Sequence, residues 1–262
     1  LDGTLLDGDG NIPSQLWPLL ETMKDRDIAF VPASGRQCTT LSTMFHSHLQ
    51  GMPIIAENGT YVVRDGIDIS SSLIDPNLAH EVITGVRQLR DDGHDVGLVV
   101  DTKSMAYLER GDDPFVSHVA TYYHSHTVVK DLTEHTDNVI KLSIYDFDEA
   151  SDTTHPTMQR IAREHQVILA TPNWVDIMNP GVNKGSAVEA VQRDLGVTAG
   201  QTAIFGDFLN DLEMMPLAKW SFAMANSHPD IIRASNYVAP PNTDNGVITV
   251  LSALLGVNVP TI

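Results

Sequence analysis

The sequence predicts an α/β fold: a doubly wound, Rossmann-like parallel-sheet core with an α+β cap inserted into it. Three observations lead there. Short apolar runs alternate with helix-period segments in the first and last parts of the chain, the pattern of a parallel sheet covered on both faces. The middle third changes rhythm, with strand-like runs following one another closely, as in an antiparallel sheet. The 262 residues, 42% hydrophobic and 19% charged, suffice for a large core and a smaller second domain. The core is placed at residues 1–75 and 180–262, and the cap at 76–179.

Taken in order, Ser14 is a candidate cap for a helix with Leu16, Leu19, Leu20 and Met23 on one face, and Pro18 is tolerated if that helix starts late. Residues 28–33 read as a strand ending in Ser34-Gly35-Arg36. A helix carrying Leu41, Met44, Phe45 and Leu49 follows, then the strand Ile54-Ile55-Ala56 and the turn Glu57-Asn58-Gly59. Arg64-Asp65-Gly66 between two β-rich runs signals a hairpin. In the cap, a helix is expected over 77–92 from Leu78, Val82, Val86 and Leu89. Strands are expected over 95–100, 105–108, 127–132, 139–145, 167–170 and 174–178, and a helix over 157–165. The core resumes with a helix over 183–195, a strand over 202–205, a helix over 209–217 and a strand over 221–224. A helix over 229–234, a strand over 237–239 and a helix over 246–255 complete it.

Composition removes several classes of partner. Aspartate and glutamate number 34 against 16 lysines and arginines, a formal charge of −18. Such a surface repels phosphate backbones and anionic lipid, so neither nucleic acid nor membrane is expected as a partner. The longest apolar stretch, residues 247–259, is interrupted by Thr249, Ser252, Gly256 and Asn258 and reads as a buried helix. A single cysteine, Cys38, allows no internal disulfide and fits a reducing, cytoplasmic setting. Nothing in the residues sets an oligomeric state.

Four polar clusters fall just after predicted strands or at a helix start: Asp2-Gly3-Thr4, Ser34-Gly35-Arg36, Asn183-Lys184-Gly185, and Gly206-Asp207 with Asn210-Asp211. In an open parallel sheet the carboxyl ends of the strands are where ligands bind, so these clusters are expected to converge. Hydroxyl, ammonium and amide groups with glycine N–H donors suit a phosphate. The carboxylates suit a hard cation such as Mg²⁺, and a remaining carboxylate suits proton transfer. Each cluster alone has a plainer reading, as a turn, a helix cap or a solvated charge. Lys184 is an exception in kind, because a cation in a first helical turn opposes the helix dipole.

The four clusters, in this order, resemble the four motifs of the haloacid dehalogenase superfamily. The spacing is similar to its Cof-type branch of sugar-phosphate phosphatases, which carry a large α/β cap between the second and third motifs. Glu57-Asn58-Gly59 and Ala223-Met224-Ala225-Asn226 look like further marks of that branch. The resemblance implies a Mg²⁺-dependent phosphatase of small phosphorylated metabolites, sugar phosphates foremost, working through an aspartyl-phosphate. It implies Asp2 as the acid and base, with a backbone carbonyl on the metal, and Ser34 and the Gly35 N–H as holders of the phosphoryl oxygens. It implies Lys184 as the neutralising cation, Asp207 as a metal ligand, Asn210 as a phosphate contact, and Asp211 as support for the metal or for Lys184. The family's nucleophilic aspartate corresponds to the position one before Leu1. The expectation is therefore an aspartate there, on a hydrophobic strand of about five residues.

Alternatives within the family are a phosphomutase and a phosphatase of a phosphorylated cofactor. From another class comes a catalytically dead binding or regulatory protein. A nicotinamide-binding oxidoreductase needs Gly-x-Gly-x-x-Gly after a strand, and Gly8-Asp9-Gly10 lacks the third glycine. His124-x-His126 reads as a surface strand rather than a metal site. Met214, Met215 and Met224 read as core filler, and Trp174 and Tyr122 as packing or pocket residues of the cap. Arg36 is read as the partner of a core carboxylate ahead of a substrate contact.

Overall fold

The computed structural model describes residues 1–257, which divide into two compact units. One comprises residues 1–35, 45–70 and those from 183 onward; the other comprises 36–44 and 71–182. The strands are β1 (Ile54–Ala56), β2 (Tyr61–Arg64), β3 (Ile67–Ser71), β4 (Val96–Thr102), β5 (Ala106–Leu108), β6 (His126–Val128), β7 (Val139–Asp146), β8 (Gln166–Leu169), β9 (Trp174–Met178), β10 (Ala203–Gly206), β11 (Trp220–Met224) and β12 (Tyr237–Ala239). The helices are α1 (Leu16–Lys24), α2 (Cys38–Met44), α3 (Pro76–Asp91), α4 (Asp113–Ala120), α5 (Thr154–Ile161), α6 (Lys184–Leu195), α7 (Pro229–Ala234) and α8 (Gly246–Leu255).

In the first unit β10, β11 and β12 form a parallel sheet, joined through segments that carry α7 and short 3-10 turns. β1, β2 and β3 form a second sheet. The β2–β3 turn places Asp65 and Gly66 at φ +51° and +76°, the left-handed pair that a type I′ hairpin needs. Ile55, Val62, Val188, Val191, Ile204, Met215, Ala223 and Ile231 make one buried cluster between strands and α6. The 183–195 helix is realised as α6, with Asn183 as its cap: its side chain accepts the Ser186 N–H at 2.8 Å.

Four local expectations are corrected here. Ser14 does not cap α1; the helix starts at Leu16, so Pro18 lies in the first turn, where an N–H has no intrahelical partner anyway. Residues 28–33 form no strand. They contribute only a parallel bridge from Ala33 to Ile55, with Ile55 N–H donating to Pro32 and Ser34 N–H donating to Ile55, both at 3.0 Å. Pro32 has no N–H to give to a ladder. The 209–217 helix is replaced by two 3-10 turns, Leu209–Asp211 and Met215–Leu217, the second holding Pro216. Residues 129–132 leave β6 and end in a 3-10 turn over Leu132–His135. Of the 247–259 stretch, residues up to 255 belong to α8, which closes on Gly256 at φ +63°; Asn258 and Val259 lie outside the described residues.

The second unit is built on a six-stranded sheet in the order β6-β5-β4-β7-β9-β8. All pairs described are antiparallel except β5–β6. Side chains alternate between its faces. Leu98, Val100, Leu142, Ile144, Val175 and Ile177 pack under α3 and α5, against Val82, Val86 and Met158. Val99, Phe115, Val119 and Trp174 form a smaller cluster with α4 on the opposite face. α3 begins as its sequence suggests, with Pro76 in the first turn and the Asp75 carboxylate accepting the Asn77 N–H at 2.8 Å. Segment 36–44 groups with this unit: the Gln37 amide donates to Ser125 O and accepts from Ser125 N–H, both at 3.0 Å. Among the described residues no helix is long and apolar enough to cross a membrane.

Arg87 bridges Glu109 and Asp131 in this unit. Its hydrogen bond holds the Glu109 carboxyl below its usual range. Two bonds from Thr133, then that of Arg87, lower Asp131 to about 2. Both pKa values are depressed by folding, so their contribution is present above the ordinary carboxylate range and is lost as pH falls through the folded values. Arg87→Ala is expected to lower the Tm at pH 7, and the deficit relative to wild type to shrink as the pH approaches 2. Thermal melts across that range measure it.

Candidate active site

The first loop is a tight turn. Leu1 C=O accepts the N–H groups of Thr4, Leu5 and Leu6 at 3.2, 2.9 and 3.0 Å, and the buried Leu5 and Leu6 side chains anchor it. Gly3 sits at φ +69°, and a Cβ there would lie 2.4 Å from Asp207 Oδ2; only glycine fits. The turn is held from three sides. Thr4 Oγ1 donates to Asp207 Oδ1, Asn226 Nδ2 donates to Gly3 O at 2.8 Å, and Asn242 Nδ2 donates to Leu6 O at 2.8 Å. Asp2 projects from this turn as an exposed residue.

Asp207 ends β10, and its backbone is fixed at both ends. Its N–H donates to Asp211 Oδ2 at 2.9 Å, and its carbonyl accepts the His228 N–H at 2.8 Å. Burial pushes the Asp207 carboxyl up, opposed by the Thr4 hydrogen bond and reinforced by the Asp211 charge. Asp211 is buried, and both of its oxygens are engaged: Oδ2 by Asp207 N–H, and Oδ1 by Lys184 Nζ at 2.6 Å. Lys184 leads α6 and is itself 4% exposed. Burial alone would raise the Asp211 pKa; the charge and hydrogen bond of Lys184 outweigh it and hold the carboxyl low.

The second loop follows the Ala33–Ile55 bridge. Ser34 is 3% exposed, and its carbonyl accepts the Asn58 N–H at 3.0 Å. Asn210, on the 3-10 turn after Asp207, donates from Nδ2 to Asn58 Oδ1 at 3.1 Å. Thus Asp207 and Asp211 join the first loop to α6, and Asn58 joins the Ser34-Gly35 loop to Asn210. Ser34, Gly35, Lys184, Asp207, Asn210 and Asp211 therefore share one connected site at the carboxyl ends of strands, with Asp2 on the turn that Asp207 supports. Arg36 lies in segment 36–44, with its guanidinium donating to Met44 Sδ at 3.7 Å. Asn242 was missed at the level of sequence; its place after β12 was the available signal, since that is a further strand end.

This arrangement assembles a buried ammonium, two carboxylates and a hydroxyl loop at one sheet end. A family described as haloacid dehalogenase-like hydrolase matches residues 1–251. The chain belongs to this family. Among curated relatives, the Escherichia coli K12 protein named 5-amino-6-(5-phospho-D-ribitylamino)uracil phosphatase YbjI is 28% identical over 90% of this chain and 86% of its own. The HMP-PP phosphatase of Cronobacter sakazakii is 25% identical over 88% of this chain and 84% of its own. Among solved structures, the Thermotoga maritima protein TM0651 aligns with a TM-score of 0.84 at 24% identity, covering 97% and 94% of the two chains. The HAD subclass IIB sugar phosphatase BT4131 aligns with a TM-score of 0.76 at 21% identity, covering 97% and 96%. These structural likenesses establish the fold: a Rossmann-like α/β core with a cap of the Cof type. Family and curated relatives together make the chain a HAD phosphatase.

Removing Lys184 leaves the Asp211 carboxylate buried without its cation. Lys184→Met is expected to cost about 3–5 kcal/mol of stability, the scale of breaking a buried pair. Lys184→Met with Asp211→Leu is expected to recover part of that loss, because an apolar pair needs no desolvation while the Asp207 N–H loses its acceptor. Urea unfolding of the two variants checks this, and neither is expected to turn over substrate.

Proposed function

We propose that this HAD phosphatase hydrolyses monoesters of small phosphorylated metabolites, sugar phosphates foremost, with Mg²⁺ bound at Asp207. The observation that carries the reading is the buried Lys184–Asp211 pair beside Asp207 and the Ser34-Gly35 loop. The pair itself is neutral, so the positive charge an anion meets is Lys184 at the start of α6 together with Mg²⁺ at Asp207, in a chain whose formal charge is −18. An anion is attracted there locally, whatever the net charge, because a buried ammonium is screened little by solvent. The names of the relatives, a ribitylaminouracil phosphatase, an HMP-PP phosphatase and a sugar phosphatase, support a small phosphorylated substrate.

The donor set fits the metal. Mg²⁺ takes oxygen ligands and is commonly held by one or two carboxylates together with water and substrate oxygens. Asp207 offers a half-buried carboxylate whose charged form is penalised by burial, and a neighbouring cation relieves that penalty. Asp211 has both oxygens engaged, so its role here is to hold Lys184 and the Asp207 backbone rather than to bind the metal directly. Bound at Asp207, the cation supplies Lewis-acid neutralisation of phosphoryl charge.

The chain's own residues divide the remaining work. The Ser34 hydroxyl and the Gly35 N–H hold phosphoryl oxygens, Lys184 neutralises them, and Asn210 contacts the phosphate. Asp2, exposed on the turn, gives a proton to the leaving alcohol and takes one from the attacking water. The unit of residues 71–182 acts as the cap that selects the substrate. Its buried polar row, Tyr123 donating to Ser143 Oγ at 3.0 Å and Ser143 donating to Asp176 at 2.6 Å, is a source of selectivity. The setting is the cytoplasm, and the protein works without nucleic acid or membrane.

A panel of phosphorylated metabolites assayed with and without Mg²⁺ tests the reading; hydrolysis of none of them would refute it. Asp207→Ala is expected to abolish turnover while the protein still unfolds cooperatively, and full activity of this variant in metal-free buffer would overturn the metal assignment. Asp2→Asn keeps the shape but carries no proton. Its first step is expected to slow more on a sugar phosphate than on an activated aryl phosphate, whose leaving group needs less protonation. Single-turnover kinetics on both substrates measure the difference.

A further inference from the structure

We infer that Asn58 is a positioning residue that sets the spacing of the phosphate-holding loops, an inference that rests on the phosphatase reading of this site. Four contacts converge on the turn Glu57-Asn58-Gly59. The Asn58 N–H donates to Ser34 O at 3.0 Å. Asn58 Oδ1 accepts from Asn210 Nδ2 at 3.1 Å. The same amide lies directly over Gly35, where a Cβ would sit 3.0 Å from Oδ1 and 3.1 Å from Nδ2. On the far side, a Cβ on Gly59 would sit 2.3 Å from the carbonyl of Asn183, the cap of the helix that carries Lys184. One three-residue turn thus touches the Ser34-Gly35 loop, the start of α6 and the Asn210 turn.

The backbone shows that the amide, and not merely a turn, is what this position supplies. Glu57 and Asn58 stand at φ +50° and +56°, and Gly59 at +100°. Two successive non-glycine residues in the left-handed region are uncommon and cost energy. Glycine at position 58 would make the same turn without strain. Asparagine tolerates the conformation and brings an acceptor for Asn210 and a surface for Gly35 to rest on. Glu57 is fully buried, so the turn is anchored rather than free to drift. With the amide in place, the Ser34 hydroxyl, the Gly35 N–H and the Asn210 side chain are held at fixed separations. Catalysis by positioning needs that, since small misplacements of such groups cost large factors in rate.

The test uses Asn58→Gly, which suits the backbone and removes only the amide. Wild type and variant are compared by thermal unfolding, by calorimetric titration with inorganic phosphate in Mg²⁺ buffer, and by kcat/KM on a phosphate ester that the wild type hydrolyses. The variant is expected to melt within about 3 °C of wild type, since relief of strain offsets the added chain entropy. Its phosphate Kd is expected to rise about tenfold and its kcat/KM to fall by about tenfold or more, the scale of one lost hydrogen bond. Asn58→Gly combined with Asn210→Ala is expected to lose less than the product of the two single losses, because part of what Asn58 does passes through Asn210. A variant that binds phosphate and turns over within about twofold of wild type would show that position 58 supplies only a turn, and so would effects that multiply in the double variant. A wild-type protein that neither binds phosphate nor hydrolyses any ester would instead overturn the phosphatase reading, and this inference with it.

Discussion

The ion pair between Lys184 and Asp211 is the constraint around which the core unit is organised. Both side chains are almost fully enclosed, and taking two charges out of water costs several kcal/mol per ion unless further hydrogen bonds compensate. The compensation is visible in the chain's course. Asp211 turns back to accept the Asp207 N–H. Asp207 accepts the hydroxyl of Thr4, and Gly3 lies against its carboxylate. The first loop and the 207–211 turn both bend to satisfy these groups. Replacing a buried ion pair by an apolar one is often neutral or stabilising, but here it would also leave the Asp207 N–H without its acceptor.

The same interaction reconciles the charge of the chain with an anionic ligand. A formal charge of −18 spread over the surface is screened within about 8–10 Å at ordinary ionic strength. A single enclosed ammonium is screened far less. Long-range repulsion acts on the encounter rate, while the local field decides binding. The acidic surface therefore selects against large polyanions, which meet much of it at once, more than against a small phosphate ester that meets one spot.

What was legible in the sequence follows from this division. The clusters at Asp2, Ser34, Lys184 and Asp207 stood out because each groups polar residues with glycine in a short stretch, although of the four only Asp207 directly follows a strand. Helices such as α3 and α6 could be read because Asp75, Pro76 and Asn183 mark their starts with local hydrogen bonds. Where long-range contacts decide, the local signal fails. Residues 209–217 have helical spacing, yet Asp211 spends its side chain on Lys184 and Asp207, and Pro216 follows, so two 3-10 turns form instead. Residues 28–33 are as apolar as any strand in the chain, but a strand exists only through its partners. Here the partner is Ile55, through the Ala33 bridge.

Asn242 and Asn58 show the other limit. Each looks like an ordinary turn asparagine, and each earns its meaning from a residue far away in sequence: Leu6 for Asn242, Asn210 for Asn58. A side-chain amide can donate and accept at once, so asparagine suits places where loops from different strands must be held without adding charge. A carboxylate could not donate as Asn226 does to Gly3 O and Asn242 does to Leu6 O. The neutral amides at 58, 210, 226 and 242 therefore tie together the loops around Asp2, Lys184, Asp207 and Asp211 without adding charge.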